Sequence, residues 1–279
     1  MGLHHRPQDW ASFVSRPVPL AETWRQWAPR LQQAPAVALF SDFDGTLAPI
    51  VRHAARARLP FQTHKLLQQL AQRPRMFVGI VSGRSVADLR RLVRLRRLGY
   101  IGIHGLEVAW PRQPVWSRVS AAHRARIEKA KTDLEGSLGD IRGLWLENKS
   151  ASVAVHFRNA AANALPRIER EVRRVYRQAG GRLKLQSGKK ILELLPALGA
   201  SKGTAVLRML RELPRRLGAR PFPVYLGDDA TDESVFSALA GRGLCVRVGA
   251  GTDSVAPYFV PDAVGVRRFL RYLLTLRSG

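Results

Sequence analysis

The sequence predicts an α/β fold: a parallel sheet with helices on both faces, carrying a smaller inserted α+β domain. Three observations lead there. Short β-like runs alternate with amphipathic helical stretches, acid-rich loops follow directly on two of those runs, and midway the pattern changes to helix, two strands, helix, two strands. With 46% hydrophobic and 24% charged residues among 279, the chain has the composition of a folded protein. Its longest apolar stretches, such as Phe77–Val81, are too short to cross a bilayer, and MGLHHRPQDW lacks the pattern of a secretory signal. The single cysteine, Cys245, excludes an intramolecular disulfide framework and suits a reducing, cytoplasmic setting. Its neighbourhood, LCVRVG, reads as a buried strand.

Taken in order, Leu20, Trp24, Trp27 and Leu31 form a helical stripe, so residues 1–35 are expected as a helical extension packed on the main domain. Strands are expected at Val37–Phe40, Phe77–Val81, Tyr100–Ile103, Val224–Leu226 and Leu244–Val248. Between them, SVADLRRLV places Val86, Leu89, Leu92 and Val93 on one helical face. This alternation defines a core of residues 36–109 and 197–279, with ligands expected at the carboxyl ends of its strands. Residues 110–196 form the insert. AAHRARIEKAKTDL is its first helix, followed by strands in LWLENK and SVAVHF. A second helix buries Leu165, Ile168, Val172, Val175 and Tyr176, and strands in RLKLQ and ILELL close the unit before Pro196 and Gly199. Strand alternation sets Trp145, Glu147 and Lys149 opposite Leu146, and His156 and Arg158 opposite Val153, Val155 and Phe157. Helices can cover one side of this small sheet, so its polar side is expected to face the core as a lid.

The net charge is +25, and 38 of the 46 basic residues are arginine. Such a balance invites a nucleic-acid reading. The excess is spread along the chain, however, and no motif interleaves aromatic with basic residues. An Arg-rich surface on an enzyme for a small anion is the preferred reading, with a polyanion binder as the alternative from another class.

The chemistry concentrates in four loops. Val37–Phe40 runs into SDFDGTLAP, placing Asp42 and Asp44 past a strand end with Gly45 behind them. Two carboxylates so placed repel unless a cation or proton lies between them; an Asx-turn is the plain alternative. The second strand ends in VSGRS, where Ser82 and Gly83 are expected to open a helix, as an anion site or as an ordinary cap. GASKGTAVLRML sets Lys202 at a helix start, a point charge suited to phosphate. YLGDDATDESVF brings Asp228, Asp229, Asp232 and Glu233 to the same rim, although Asp232 and Glu233 could serve only the helix dipole. Oxygen-only ligands of this kind suit Mg²⁺.

In that order, DxDGT, a serine after the second strand, a lysine and GDDxxD are the four motifs of the haloacid dehalogenase-type phosphatases, which this chain resembles. Within that superfamily, GIHGLE, LENKSASVAVHFR and GKKILELLP resemble the trehalose-6-phosphate phosphatases over roughly residues 36–275. The resemblance implies a Rossmann-like core with a cap, and hydrolysis of trehalose 6-phosphate. Asp42 is then the nucleophile and Asp44 the general acid–base. Mg²⁺ is held by Asp42, the Asp44 carbonyl and Asp228. Ser82 and Lys202 hold the phosphoryl oxygens, with Asp229 and Asp232 as supports. Gly45, Arg84 and His104, with Glu107 beside them, are expected near phosphate or sugar, although His104 could equally be structural. Glu147, Lys149 and Glu193 match the family's sugar-binding positions; a solvated Glu147–Lys149 salt bridge is the alternative. Departures bear on the sugar: Leu195 replaces a basic residue, Ser201 an Asp or Asn, and VRHAARARLP is basic where relatives carry acids. Another sugar phosphate, of glucosylglycerol or sucrose, is therefore the same-class alternative. Oligomeric state cannot be read from the sequence.

Overall fold

VALFSD and MFVGIV are adjacent strands in which every residue is buried, as happens only where helices cover both faces of a sheet. The computed structural model describes residues 17–51, 56–149, 151–188, 190–249 and 254–277. The first sixteen residues of the expected N-terminal extension, four residues of the basic stretch (52–55) and Lys189 lie outside that description.

In chain order the first half comprises β1 (Val18–Pro19), α1 (Leu20–Gln33), β2 (Val37–Asp42), α2 (Phe61–Leu70), β3 (Met76–Val81), α3 (Val86–Val93), β4 (Gly99–Gly102), β5 (Glu107–Ala109) and β6 (Val115–Ser117). There follow α4 (Ala121–Leu138), β7 (Trp145–Asn148), β8 (Val153–His156), α5 (Leu165–Gln178), β9 (Leu183–Gly188) and β10 (Ile191–Pro196). The chain ends with α6 (Lys202–Leu217), β11 (Phe222–Gly227), α7 (Glu233–Leu239), β12 (Leu244–Val248), β13 (Tyr258–Val260) and α8 (Ala263–Leu276). Nine strands form one sheet in the order β1-β13-β12-β11-β2-β3-β4-β5-β6, parallel through β4 and antiparallel beyond it. Alternation along the central strands divides its core. Val37, Leu39, Val78, Ile80, Val224 and Leu226 pack against α1, α2, α3 and α8. Ala38, Phe40, Phe77, Tyr225 and Cys245 pack against α6 and α7. Burial pushes the Cys245 thiol up to about 12, as for a plain core side chain. In α1, Trp24 packs edge-on against Phe269 and Tyr272 of α8, and Trp27 against Tyr258 of β13.

The second sheet, β7-β8-β10-β9, is antiparallel, with α4 and α5 on one face. Leu146, Val153, Val155 and Phe157 face those helices, as the alternation requires. The insert was expected to begin at 110, yet Val115–Ser117 pairs with Glu107–Ala109 in the large sheet, so the chain leaves that sheet later. Three-residue strands such as β5 and β6 carry no usable period, so the sequence pattern does not reveal them. Ser82 does not open a helix: α3 begins at Val86, capped by Ser85, whose Oγ accepts the Asp88 N–H at 3.1 Å. Among the described residues no helix is long and apolar enough to cross a membrane.

Helix α6 owes its position to a close approach. A Cβ on Gly203 would lie 2.1 Å from the Ser234 carbonyl oxygen, whereas one on Gly136, in exposed α4, would meet nothing within 4 Å. Gly203→Ala should therefore lower unfolding free energy by about 1–3 kcal/mol. Gly136→Ala should raise it by up to about 1 kcal/mol. Urea denaturation of both variants checks the pair; equal effects would contradict the packing described.

Candidate active site

The four acid- and anion-bearing loops meet above the carboxyl ends of β2, β3 and β11. Lys202, the first residue of α6, is 3% exposed, and its ammonium donates to Asp42 Oδ1 at 2.6 Å and to Asp232 Oδ1 at 2.7 Å. Burial opposes the lysine's charge, but Asp232 and Asp42 outweigh it and hold the ammonium well above the usual lysine range. Asp232 also accepts the Tyr225 O–H at 2.6 Å and the Asp229 N–H at 3.0 Å, so both of its oxygens are engaged. Asp229 itself caps the following 3-10 turn through the Ala230 N–H. The lysine's own helix is capped by a Ser201–Thr204 box, so serine serves where relatives carry Asp or Asn.

Asp228 lies against the first loop. Thr46 Oγ1 donates to its Oδ1 at 3.2 Å, and a Cβ on Gly45 would sit 2.4 Å from its carboxylate. Gly45 also has φ +90, so both space and backbone demand glycine. Asp42, Asp228 and Asp232 each offer an oxygen within 4.8 Å of the others. Burial, with Asp232 and Asp228 nearby, pushes Asp42 well above the usual carboxylate range despite Lys202. Three crowded carboxylates, two of them on one ammonium, form an all-oxygen donor set that a hard divalent cation fits. Asp232, with both oxygens already bonded, is the least available of the three.

Asp44 points elsewhere. Arg84 grips it with both arms of a fork, Nε to Oδ2 at 2.6 Å and the second terminal nitrogen to Oδ1 at 2.8 Å. The remaining arm donates to Asp88 at 2.7 Å, and the guanidinium lies over the Phe43 ring. At 8% exposure Arg84 is thus fully occupied by protein partners. Ser82 follows β3 with its Oγ accepting the Arg84 N–H at 3.1 Å. Glu107 does not reach the cavity's polar centre: its carboxylate accepts the Val86 N–H at 2.8 Å and caps α3.

The open face of the small sheet forms the opposite wall. Cross-strand pairing sets Glu147, Ala154, Glu193 and Gln186 in one row and Trp145, His156, Ile191 and Gly188 in the next. Glu193, 4% exposed, accepts from Ser152 Oγ at 2.5 Å and Lys149 Nζ at 3.1 Å, and His104 Nε2 lies 3.3 Å away. Burial would raise this carboxyl, but Lys149 and His104 hold it well below the usual range. Glu147 accepts from His156 Nε2 at 2.9 Å, while Lys149 stands 3.9 Å off, so the lysine's short partner is Glu193. The His156 ring stacks on Trp145 at 3.9 Å and 4° between planes.

His104 bridges the two walls. Its backbone is left-handed (φ 53), as is that of Ile103 (φ 45). Gln186 Nε2 lies 2.9 Å from its Nδ1 and 3.0 Å from its Nε2, the nitrogen that also faces Glu193. The imidazole packs on Gly83, where a Cβ would lie 2.6 Å from Nε2. Leu195, where a basic residue was expected, is buried with Ile103, Leu106, Val119 and Ala151 in an apolar joint between the two units.

One cavity is lined by Asp42, Asp44, Ser82, Arg84, Lys202 and Asp228 from the core, and by Glu147, Lys149 and Glu193 from the small sheet. Gly45 and Asp232 stand behind it. Trp145, His156 and Gln186 also line it. Alternation placed the first two on the right face, but nothing in the sequence marked them, or Tyr225, as part of a site.

The chain matches the trehalose-phosphatase family model over residues 40–262. It is 37% identical over 221 residues to the trehalose-phosphate phosphatase of Mycobacterium ulcerans, covering 78% of this chain and 55% of that protein. It is 32% identical over 259 residues to a trehalose 6-phosphate phosphatase of Zea mays, covering 87% and 71% respectively. It thus spans about half the length of its mycobacterial relative. The C-terminal domain of the Candida albicans trehalose-6-phosphate phosphatase superposes with a TM-score of 0.82 at 21% identity, covering 95% of this chain and 99% of that one, which speaks for the fold. A family match across most of the chain, together with this site, makes the chain a member of the trehalose-phosphatase family.

Proposed function

We propose that the chain hydrolyses trehalose 6-phosphate to trehalose and phosphate with the help of Mg²⁺. The observation that supports this most is a single cavity with a lysine-bridged acid cluster on one wall and hydroxyl-binding groups on the other. A divalent ion held by Asp42, Asp228 and the Asp44 carbonyl would neutralise the charge between an anionic nucleophile and an anionic phosphate.

The protein's own residues then divide the work. Asp42 attacks phosphorus through the oxygen that Lys202 leaves open, forming an aspartyl phosphate as the sugar oxygen departs. Lys202 and Ser82 hold the phosphoryl oxygens, where charge accumulates. Asp44 gives a proton to the leaving oxygen and later takes one from the attacking water, which restores Asp42 and releases phosphate. For this Arg84 has to release at least one Asp44 oxygen. The incoming phosphoryl group, itself a partner for a guanidinium fork, competes for Arg84 at the right moment. The small sheet acts as a lid: Glu147, Lys149 and Glu193 bond the sugar hydroxyls, and that binding closes the cavity over the phosphate. A small-molecule substrate and a cytoplasmic setting follow from this reading.

Asp42→Asn should reduce kcat at least about a hundredfold while leaving the thermal transition in place. Retention of more than about a hundredth of the unaltered kcat would remove Asp42 from the nucleophile's role. Chelation should stop turnover and Mg²⁺ restore it, with Asp228→Ala needing far more Mg²⁺; full activity in chelator counts against the scheme. On a sugar-phosphate panel, Glu147→Ala, Lys149→Ala and Glu193→Ala should each lower kcat/KM for trehalose 6-phosphate by roughly ten- to a hundredfold. Hydrolysis of a small aryl phosphate should barely change. Equal losses on both substrates would assign these residues to the fold or the chemistry, and preference for another sugar phosphate would move the substrate without moving the mechanism.

A further inference from the structure

At the other end of the large sheet, five of the eight residues Arg90–Arg97 are arginine. They occupy the last turn of α3 and the loop into β4, at the amino end of a strand whose carboxyl end leads to His104. Across from them the turn after β5 carries Arg112. Arg90, Arg94, Arg96 and Arg112 line a single cleft of about 910 Å³, and among the described residues no carboxylate lines it. A volume in that range suits a small ligand larger than one phosphate.

In a chain with 46 basic and 21 acidic residues, many arginines must lack acidic partners, so their isolation alone says little. Convergence on one concavity says more, because clustered guanidiniums repel until an anion lies among them. The cleft is also held in shape. The Arg112 N–H donates to the Arg96 carbonyl at 3.1 Å, tying one wall to the other. Arg90 donates to the Gln113 carbonyl at 2.5 Å and lies over the Tyr100 ring. Arg94 caps α3 in a left-handed conformation (φ 56), with its Nε on the Arg91 carbonyl, and Arg112 is left-handed as well (φ 60). The floor stays neutral: Tyr100 donates its O–H to the Leu95 carbonyl, and burial pushes it up to about 12. Arg91, by contrast, is engaged by Asp88. Among the described residues no acidic side chain pairs with Arg96 or Arg112, which leaves two planar forks open for phosphate oxygens.

We propose that this cleft is a second anion site, for a small ligand with two or more linked phosphates, separate from the hydrolytic cavity. Four guanidiniums match the charge of a linear triphosphate better than that of a single phosphate, which two of them would satisfy.

The test is calorimetric titration of the metal-free full chain with inorganic triphosphate at fixed salt. The triple variant Arg94→Asn, Arg96→Gln and Arg112→Asn keeps residues tolerant of the left-handed backbone at both strained positions. It should weaken binding more than about tenfold, since three charge-assisted contacts are lost. A control lacking Arg170, Arg173 and Arg177 on the exposed side of α5 removes the same charge and should change affinity less than about threefold. Arg96→Gln and Arg112→Gln alone should each give a smaller loss in the same direction. Sugar-phosphate turnover should be unchanged in the triple variant, and the binding result stands whether or not the hydrolytic reading does. Equal weakening in variant and control would reduce the effect to net charge and overturn the site, as would the absence of triphosphate binding by the unaltered chain.

Discussion

The ammonium of Lys202, closed between Asp42 and Asp232, is the contact on which the active site depends. Taking a charge out of water costs several kcal/mol, and only the two carboxylates at 2.6 and 2.7 Å offset that cost. Four separate segments must arrive together for this to happen: the end of β2, the start of α6, the Tyr225 hydroxyl from β11 and the turn before α7. Removal of both partners would leave a buried charge unmatched, a loss on the order of 3–5 kcal/mol. Because the folded lysine is raised, its contribution is fully present below the ordinary lysine pKa and is lost only as pH rises through the folded value.

The two aspartates of the first loop are held by cations of different shape, and the difference sorts their roles. Lys202 is a point charge that touches one oxygen of Asp42 and leaves the other accessible to chemistry. Arg84 is a planar fork that takes both oxygens of Asp44. Before substrate arrives, one carboxylate therefore stands ready while the other is latched. Phe43, between the two in sequence, provides the ring over which the latch lies. The same loop needs Gly45 so that Asp228 can come close, so Asp42, the latch on Asp44 and the approach of Asp228 are set by four consecutive residues.

Much of this was legible in the sequence because it rests on local pattern. Strand alternation placed Asp42, Ser82 and Asp228 at strand ends, and period two sorted the faces of the small sheet residue by residue. What was not legible depends on partners distant in sequence. Arg84 reads as a residue free to meet substrate; its engagement with Asp44, forty positions away, follows from the loop fold alone. Ser82 reads as a helix cap because the sequence does not reveal that Ser85 takes that task three residues later. Leu195 reads as a lost basic contact, whereas the fold uses it in the apolar joint with Ile103 and Val119. Three-residue strands such as Val115–Ser117 are too short for any period, so their membership of the large sheet emerges only from pairing.

The charge distribution turns on the same distinction between local and global. The chain carries +25 overall, yet Asp42, Asp44, Asp228, Asp229, Glu147 and Glu193 all line one cavity, backed by buried Asp232. An anion approaching the chain would thus be drawn by the outer field toward a cavity whose own acids would repel it. The contradiction eases where the acids are matched locally: Lys202 serves Asp42 and Asp232, Arg84 serves Asp44, and Lys149 serves Glu193. Asp42 and Asp228 crowd together beside Asp232, and that cluster of carboxylate oxygens is where an all-oxygen site for a divalent ion has a physical reason to exist. The surplus of arginine outside the cavity is then compatible with the acids inside it, because the one sets a field over distance and the other is neutralised at contact.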